Sequence, residues 1–278
     1  LAGRCQSSVG IATTGAHQTT FGGSVGTYDG FIAKFDSTGG SVKWATFYGG
    51  SGADGVRGIT ADHSGNVYVS GYTASTTTFT TSGVYQTTHG GGTNDGFLAM
   101  FNQSGTRQWG TYYGGSGSDV LNKLSINSNE DLIVTGYSAT TSGLATSGAY
   151  QTTYGGGTQD GLIAKFSTSG SRTWCTYFGG NLQDLINSHS VDLHGNIYIG
   201  GLTFSTSGIA TSGAHQTSLS AQEEGFVAKI LDQSVTITST TTIQPDTTAT
   251  PAGAKNKMII GVKVTTTGAN PFAKVTEF

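Results

Sequence analysis

Gly65-Asn66-Val67-Tyr68-Val69-Ser70-Gly71-Tyr72 opens the stretch whose reading decides the fold. A Thr/Ser-rich arm follows, then Ser82-Gly83-Val84-Tyr85-Gln86-Thr87-Thr88, then Asp95-Gly96-Phe97-Leu98-Ala99-Met100-Phe101. The chain uses this stretch four times. The Asp-Gly-Phe element starts at Asp29, Asp95, Asp160 and Glu224, in steps of 66, 65 and 64 residues. A second marker keeps the same beat: Gly15-Ala16-His17-Gln18-Thr19, Gly83-Val84-Tyr85-Gln86-Thr87, Gly148-Ala149-Tyr150-Gln151-Thr152 and Gly213-Ala214-His215-Gln216-Thr217. A third occurs three times, as Trp44-Ala45-Thr46-Phe47-Tyr48-Gly49-Gly50 and the segments beginning at Trp109 and Trp174. Three markers in step make this a repeat architecture.

Each period carries four short strand patterns. The first is Gly58–Asp62, echoed at Lys123–Asn127 and Ser188–Asp192; the second is Asn66–Tyr72, echoed at Asp131–Tyr137 and Asn196–Leu202. The third is the Asp-Gly-Phe strand and the fourth the Trp strand. Val67 and Val69 alternate with Tyr68 and Ser70, the period of a pleated strand. Tight Gly-containing turns join first to second strands (His63-Ser64-Gly65) and third to fourth (Gln103-Ser104-Gly105). Four antiparallel strands at a fixed spacing are the signature of a β-propeller blade. The expected fold is therefore all-β, a propeller of four-stranded blades with about four present as part of a larger ring.

The blades are expected over residues 1–238, with Ser234-Val235-Thr236-Ile237-Thr238 as the fourth strand of the last. Residues 239–256 read as a Thr/Pro-rich linker. Residues 257–278 read as the truncated start of a further β domain, with strands at Met258–Gly268 and Phe272–Phe278. Leu1-Ala2-Gly3 aligns with Ile199-Gly200-Gly201, so the chain reads as a mature or trimmed piece that starts inside a repeat.

Composition narrows the function. Of 278 residues, 45 are Gly and three are Pro; 10% are charged, and the net charge is −3. That balance offers no basic footprint for nucleic acid and no polybasic stretch for a membrane surface, and no apolar run is long enough for direct membrane insertion. Cys5 and Cys175 fall at non-equivalent repeat positions, so neither belongs to a repeated metal site, and two unpaired thiols are expected.

Asp-Gly-Phe-Ile-Ala-Lys-Phe (29–35), the Trp44–Gly50 strand and its Gly-Gly loop, and the Ile59–Tyr72 segment together resemble the bacterial SBBP (seven-bladed β-propeller) repeat family, over Leu1 to about Ile230. The resemblance implies secreted or surface-attached bacterial proteins with no general catalytic activity. The tail from Lys257 more weakly resembles a β-sandwich module found beside sialidase-like domains in exported proteins. Type IX secretion is the export route expected of such chains.

Candidate site residues follow from the alternation of loops between two faces. The second-to-third arms, about 22 residues between Tyr72 and Asp95, share a face with the fourth-to-first Gly-Gly loops. Long loops on a rigid scaffold are where binding usually lives. That face collects His17, Gln18, Tyr85, Gln86, Tyr150, Gln151, His215 and Gln216, and also Asp54, Asp119 and Asp184. The bland reading stands beside the functional one. The Asp residues are expected to accept backbone N–H bonds in a Gly-rich turn, with Ca²⁺ as the alternative. The Gln residues pin the arms, the His/Tyr positions are half-buried ring slots, and Trp44, Trp109 and Trp174 pack between blades, a carbohydrate platform being the alternative.

No Gly-x-Ser-x-Gly, His-Glu-x-x-His or phosphate-cradling loop occurs. Asp36-Ser37-Thr38-Gly39-Gly40 echoes a sialidase Asp-box, but Asn102 and Ser167 replace the Asp in the other copies, and the arginines, Arg4, Arg57, Arg107 and Arg172, are not a converging triad. No enzyme and no cofactor is expected. Paired carboxylates meeting near the axis leave glycoside hydrolysis open. The leading expectation is a secreted or cell-surface scaffold or adhesion module. Its expected partners are other surface proteins, glycans, and missing blades or neighbouring copies at the open edge. The alternatives are a glycan-binding or glycan-cleaving propeller and a subunit that assembles by strand exchange.

Overall fold

The computed structural model describes residues 1–77, 79–231, 236–243 and 261–267, the last two stretches as backbone. Residues Leu1–Ile230 form one compact unit and Leu231–Phe278 a second.

The first unit holds four antiparallel sheets, each a propeller blade. Blade I is β1 (Ala2–Cys5), β2 (Asp29–Phe35) and β3 (Val42–Tyr48). Blade II is β4 (Asp54–Ala61), β5 (Val67–Thr73), β6 (Asp95–Phe101) and β7 (Arg107–Tyr113). Blade III is β8 (Asp119–Ile126), β9 (Leu132–Ser138), β10 (Asp160–Phe166) and β11 (Arg172–Phe178). Blade IV is β12 (Asp184–Val191), β13 (Ile197–Thr203) and β14 (Glu224–Ile230). Strands follow chain order within every blade, and β4, β8 and β12 run side by side. Among the described residues no helix is long and apolar enough to cross a membrane.

Three features depart from the sequence expectation. The first strand of a blade begins at Asp54, not Gly58, because Gly55 and Val56 pair with Tyr72 and Gly71. Asp54, Asp119 and Asp184 are thus the opening residues of strands, and they accept N–H bonds from the preceding Gly-Gly loop. Each of these strands carries a bulge: the register shifts between Val56 and Gly58, between Leu121 and Lys123, and between Ile186 and Ser188. A bulge re-aims the extra residue, and here it ties blades together. Arg57 donates to Asn122 Oδ1 at 2.7 Å, and Asn122 Nδ2 donates to the Ile186 carbonyl at 2.9 Å.

The third departure is at the blade boundary. The second unit pairs β15 (Thr236–Ile243) with β16 (Gly261–Thr267). Residues 236–238 ladder with β16, and 239–243 are strand instead of linker; the Thr-rich, β-branched run suits a strand. The compact unit of blades ends at Ile230, not at 238. The rest of the expected linker and the Phe272–Phe278 strand lie outside the described residues.

The core lies between blades. Tyr48, at the end of blade I, meets Phe79, Phe97 and Phe101 of blade II with ring centroids 4.9–5.4 Å apart. Tyr113 meets Phe166 at 5.2 Å, and Phe178 meets Phe226 at 5.1 Å, so at all three junctions the last ring of a fourth strand meets a ring on the third strand of the next blade. Trp44 and Trp109 lie across junctions too. Their indole N–H groups donate to the turn carbonyls of Gln103 (2.9 Å) and Thr168 (3.0 Å) in the next blade. Asp36 caps the corresponding turn in blade I, accepting N–H bonds from Thr38 and Gly40; Asn102 and Ser167 accept equivalent bonds in the others. The Asp-box echo is thus a turn cap that any short acceptor serves.

One junction breaks the apolar rule. His189 stands where the repeat has Ile59 and Leu124, buried between blades III and IV. Its Nε2 lies 2.7 Å from Ser125 Oγ and its Nδ1 2.8 Å from Thr135 Oγ1. Burial, with the Lys123 charge adding, lowers its pKa from 6.5 to about 4. A base whose folded pKa lies below its unfolded value is a liability as pH falls, because the unfolded chain binds the extra proton. Stability should drop between pH 6.5 and 4, by up to roughly 3 kcal/mol from this group. His189→Leu restores the repeat residue and should flatten that part of the profile. Urea unfolding at pH 7 and pH 5 checks it; an unchanged difference between the two would rule His189 out as the cause.

Candidate functional site

The arms (residues 6–28, 74–94, 139–159 and 204–223) do more than crown a face. In blades I–III each runs along the outer edge of the fourth strand. Thr13 N–H donates to Ala45 O (2.9 Å) and Phe47 N–H to Gln18 O (3.1 Å); Thr81, Gln86, Thr146 and Gln151 repeat these bonds with β7 and β11. A strand edge that would otherwise offer unpaired groups is thereby covered.

The Gln side chains lock this arrangement. Gln18, Gln86 and Gln151 accept the N–H of Gly49, Gly114 and Gly179 on Oε1, at 3.0–3.1 Å. Their Nε2 groups donate to Thr20, Thr88 and Thr153 carbonyls at 2.8–3.0 Å. Gln86 also reaches Asp95 Oδ2 at 3.2 Å. Gln216 makes the donor half, to Ser218 O at 2.9 Å and to Glu224. Thr46, Thr111 and Thr176 complete the lock, each taking the backbone N–H of its Gln on Oγ1 at 2.8–2.9 Å. The fixed Trp-x-Thr spacing could have flagged these hydroxyls.

Beneath the arms lie two carboxylates per junction. Asp29, Asp95 and Asp160 open the third strands and accept Gly22, Gly90 and Gly155 N–H at 2.5–2.7 Å. Asp54, Asp119 and Asp184 open the next blade and accept Gly50, Gly115 and Gly180 N–H at 2.7–2.8 Å. Hydroxyls of Ser75, Thr140 and Ser205 donate to the same three at 2.7–2.8 Å. The same hydroxyls take Gly52, Gly117 and Leu182 N–H from the Gly-Gly loop, so loop and arm do share one face. The two carboxylates converge over a glycine: a Cβ on Gly49 would stand 2.8 Å from Asp29 Oδ1 and 2.9 Å from Asp54 Oδ2. Gly114 sits likewise between Asp95 and Asp119.

All six carboxylates are fully buried. Burial pushes Asp95 and Asp160 up to about 6, and raises Asp29, Asp54 and Asp119. Carboxylate pairs thus exist, fully buried at blade junctions under the arms. Among the described residues no three His, Cys, Asp or Glu side chains are grouped to hold a metal. Oδ2 of each acid accepts N–H or O–H donors, whereas Oδ1 of Asp29, Asp54, Asp95, Asp160 and Asp184 is buried with no hydrogen-bond partner among the described residues.

The ring positions cap the junctions. His17 lies 6.0 Å from Tyr48 and 5.8 Å from Phe101. Tyr85 lies 5.6 Å from Tyr113, with the Arg172 guanidinium 4.6 Å over its ring. Tyr150 stacks on Phe178 at 6.2 Å and stays 62% exposed. His215 is exposed. Cys5 and Cys175 are free thiols, the second buried.

Lys43 to Thr76 spans β3, the Gly-Gly loop, β4, β5 and the hydroxyl that reaches Asp54, and this segment matches a family model described as SBBP, Beta-propeller repeat, over residues 43–76. The chain carries an SBBP beta-propeller repeat. The SBBP match straddles a junction, so what the family model captures is the step from one blade to the next, including both strands that Asp54 and Ser75 tie together. No curated protein compared with the chain matches it.

Proposed function

We propose that this propeller is a non-catalytic scaffold, secreted by a bacterium or displayed on its surface, that binds other surface proteins or glycans through the face carrying the arms. The observation that supports it is where the repeated polar groups go. The Gln amides, the Asp carboxylates and the Thr hydroxyls are spent on holding arm to strand and blade to blade. Tyr85 and Tyr150 remain on the arm face with exposed ring surface, as aromatic groups that stack on a sugar or seat a protein side chain do. The sparse charge argues for recognition by shape and hydrogen bonding over long-range steering.

The test uses the full chain, immobilised and probed with an array of bacterial and mammalian glycans and with whole bacterial cells. Saturable binding is expected, at least ten-fold weaker for the Tyr85→Ala/Tyr150→Ala double variant with its circular dichroism unchanged. Equal binding by the double variant would move the site off these rings. Absence of binding to any probe would sink the adhesion reading. Turnover of fluorogenic glycosides would overturn the non-catalytic part.

A further inference from the structure

Blade IV shows a groove whose shape the other blades explain. In blades I–III the fourth strand lies between the third strand and the arm, hydrogen-bonded on both sides. In blade IV, β14 and the arm are in place, and among the described residues no strand lies between them. The space is a groove of about 590 Å³ lined by Phe178, Ser205, Ile209, Thr211, Gln216 and Phe226.

The arm already holds the conformation it has in occupied blades. Ala214 N–H donates to Thr211 O at 3.1 Å, as Ala149 does to Thr146 and Ala16 to Thr13. Gln216 Nε2 donates to Ser218 O at 2.9 Å, as Gln151 does to Thr153 at 3.0 Å. Among the described residues the arm has no counterpart of the bonds that Thr146 and Gln151 make to β11: Thr146 N–H to Cys175 O, Tyr177 N–H to Gln151 O, and Gly179 N–H to Gln151 Oε1. On the trailing side of the sheet, Val227 is 85% exposed, whereas its counterparts Ile32, Leu98 and Ile163 are at most 1% exposed.

We propose that this groove is a docking slot for a β-strand supplied by another polypeptide, lying antiparallel to β14 with the arm on its far side. The internal occupants state its chemistry: Arg-x-Trp-small-Thr-Tyr-aromatic-Gly-Gly, as at Arg107–Gly115 and Arg172–Gly180. Each position has a reason. Arg107 and Arg172 donate to Phe79 O (3.1 Å) and Leu144 O (2.6 Å), whose counterpart is Ile209 O. Tyr112 and Tyr177 hydroxyls donate to Ser75 O (2.8 Å) and Thr140 O (2.7 Å), whose counterpart is Ser205 O. The Thr exchanges hydrogen bonds with the arm Gln, and the first Gly N–H reaches its amide. The chain's own continuation is a poor occupant: residues 234–243 contain no Trp, Tyr or Gly-Gly. Strand addition to a preformed edge takes its affinity from main-chain bonds and its specificity from alternate side chains, and a preorganised arm lowers the ordering cost. Tyr150 also lines the groove, so the slot shares that ring with the arm-face reading; Tyr85 is not among its lining residues, and the peptide and Gln216 changes below test the slot without touching either ring.

The experiment titrates a fluorescent synthetic peptide copying Arg107–Gly115 into the full chain. Saturable binding is expected, at least ten-fold weaker for a peptide with the Tyr112→Ala change and for the protein variant Gln216→Ala. Hydrogen exchange gives the second readout: the amides of Gly225, Val227 and Lys229, which alternate with those that face β13, should slow at least ten-fold on adding peptide. No saturation, or equal binding by the altered peptide, would overturn the slot. Slow exchange at Gly225, Val227 and Lys229 without peptide in a chain of monomeric mass would also overturn it, because the occupant is then the chain's own segment.

Discussion

Gly136→Ala should cost on the order of 3 kcal/mol of stability, against the usual expectation that alanine is better than glycine inside a strand. The reason is the bulge opposite. Leu121 pairs with Gly136 at the point where the β8 register shifts, and the bulge tips the Val120 carbonyl across the second strand. A Cβ on Gly136 would stand 1.9 Å from that oxygen. Nothing flexible is there to yield, so the ladder itself has to move. Gly71 faces Gly55 O at 1.9 Å and Gly201 faces Leu185 O at 1.8 Å, so the same substitution should fail in all three blades. Gly200 supplies the control. It lies in β13 beside Gly201, and its Cβ would meet only Phe226 O at 3.7 Å. Gly200→Ala should be neutral or stabilise by up to about 1 kcal/mol. Urea unfolding of the two variants decides it, and equal stabilities would show that the bulge does not dictate glycine.

Asp119→Ala should cost about 3 kcal/mol or more, with Asp119→Asn much milder. The alanine leaves the Gly115 N–H and the Ser138 and Thr140 hydroxyls buried with no acceptor. Asparagine keeps an acceptor oxygen there and removes a charge that stands beside Asp95. That neighbour provides the second readout. The Asp119 charge is one of the effects raising Asp95 toward about 6, after burial. In Asp119→Asn the Asp95 carboxyl should therefore titrate lower, by carboxyl NMR. An Asp95 titration that does not move would show that the two acids do not sense each other. Equal stability of the Ala and Asn variants would deny the hydrogen-bond role.

The linear order of residues determined the repeat, the order of strands within a blade and the face on which arms and Gly-Gly loops meet, because strand alternation and tight turns are local properties of a chain. The inter-blade place of Trp44 and Trp109 was legible for a related reason: a large apolar ring kept in every copy needs a buried surface, and a thin blade has one only against its neighbour. Tertiary structure decided the rest. The bulge at Arg57 and Asn122 was hidden, since an extra residue changes nothing in composition and shows only when β4 is laid against β5. Asp29 and Asp54 read as separate residues 25 positions apart; the stacking of blade I on blade II turns them into a pair. His189 read as one more strand residue until Ser125 and Thr135 arrived from the preceding blade. The open edge of β14 is the furthest case. Its pattern matches β10 residue for residue in kind, yet among the described residues of the blade unit no fourth strand lies beside it. Strand identity is written in neighbours along the chain, whereas strand pairing is settled by which edges compete for it in three dimensions.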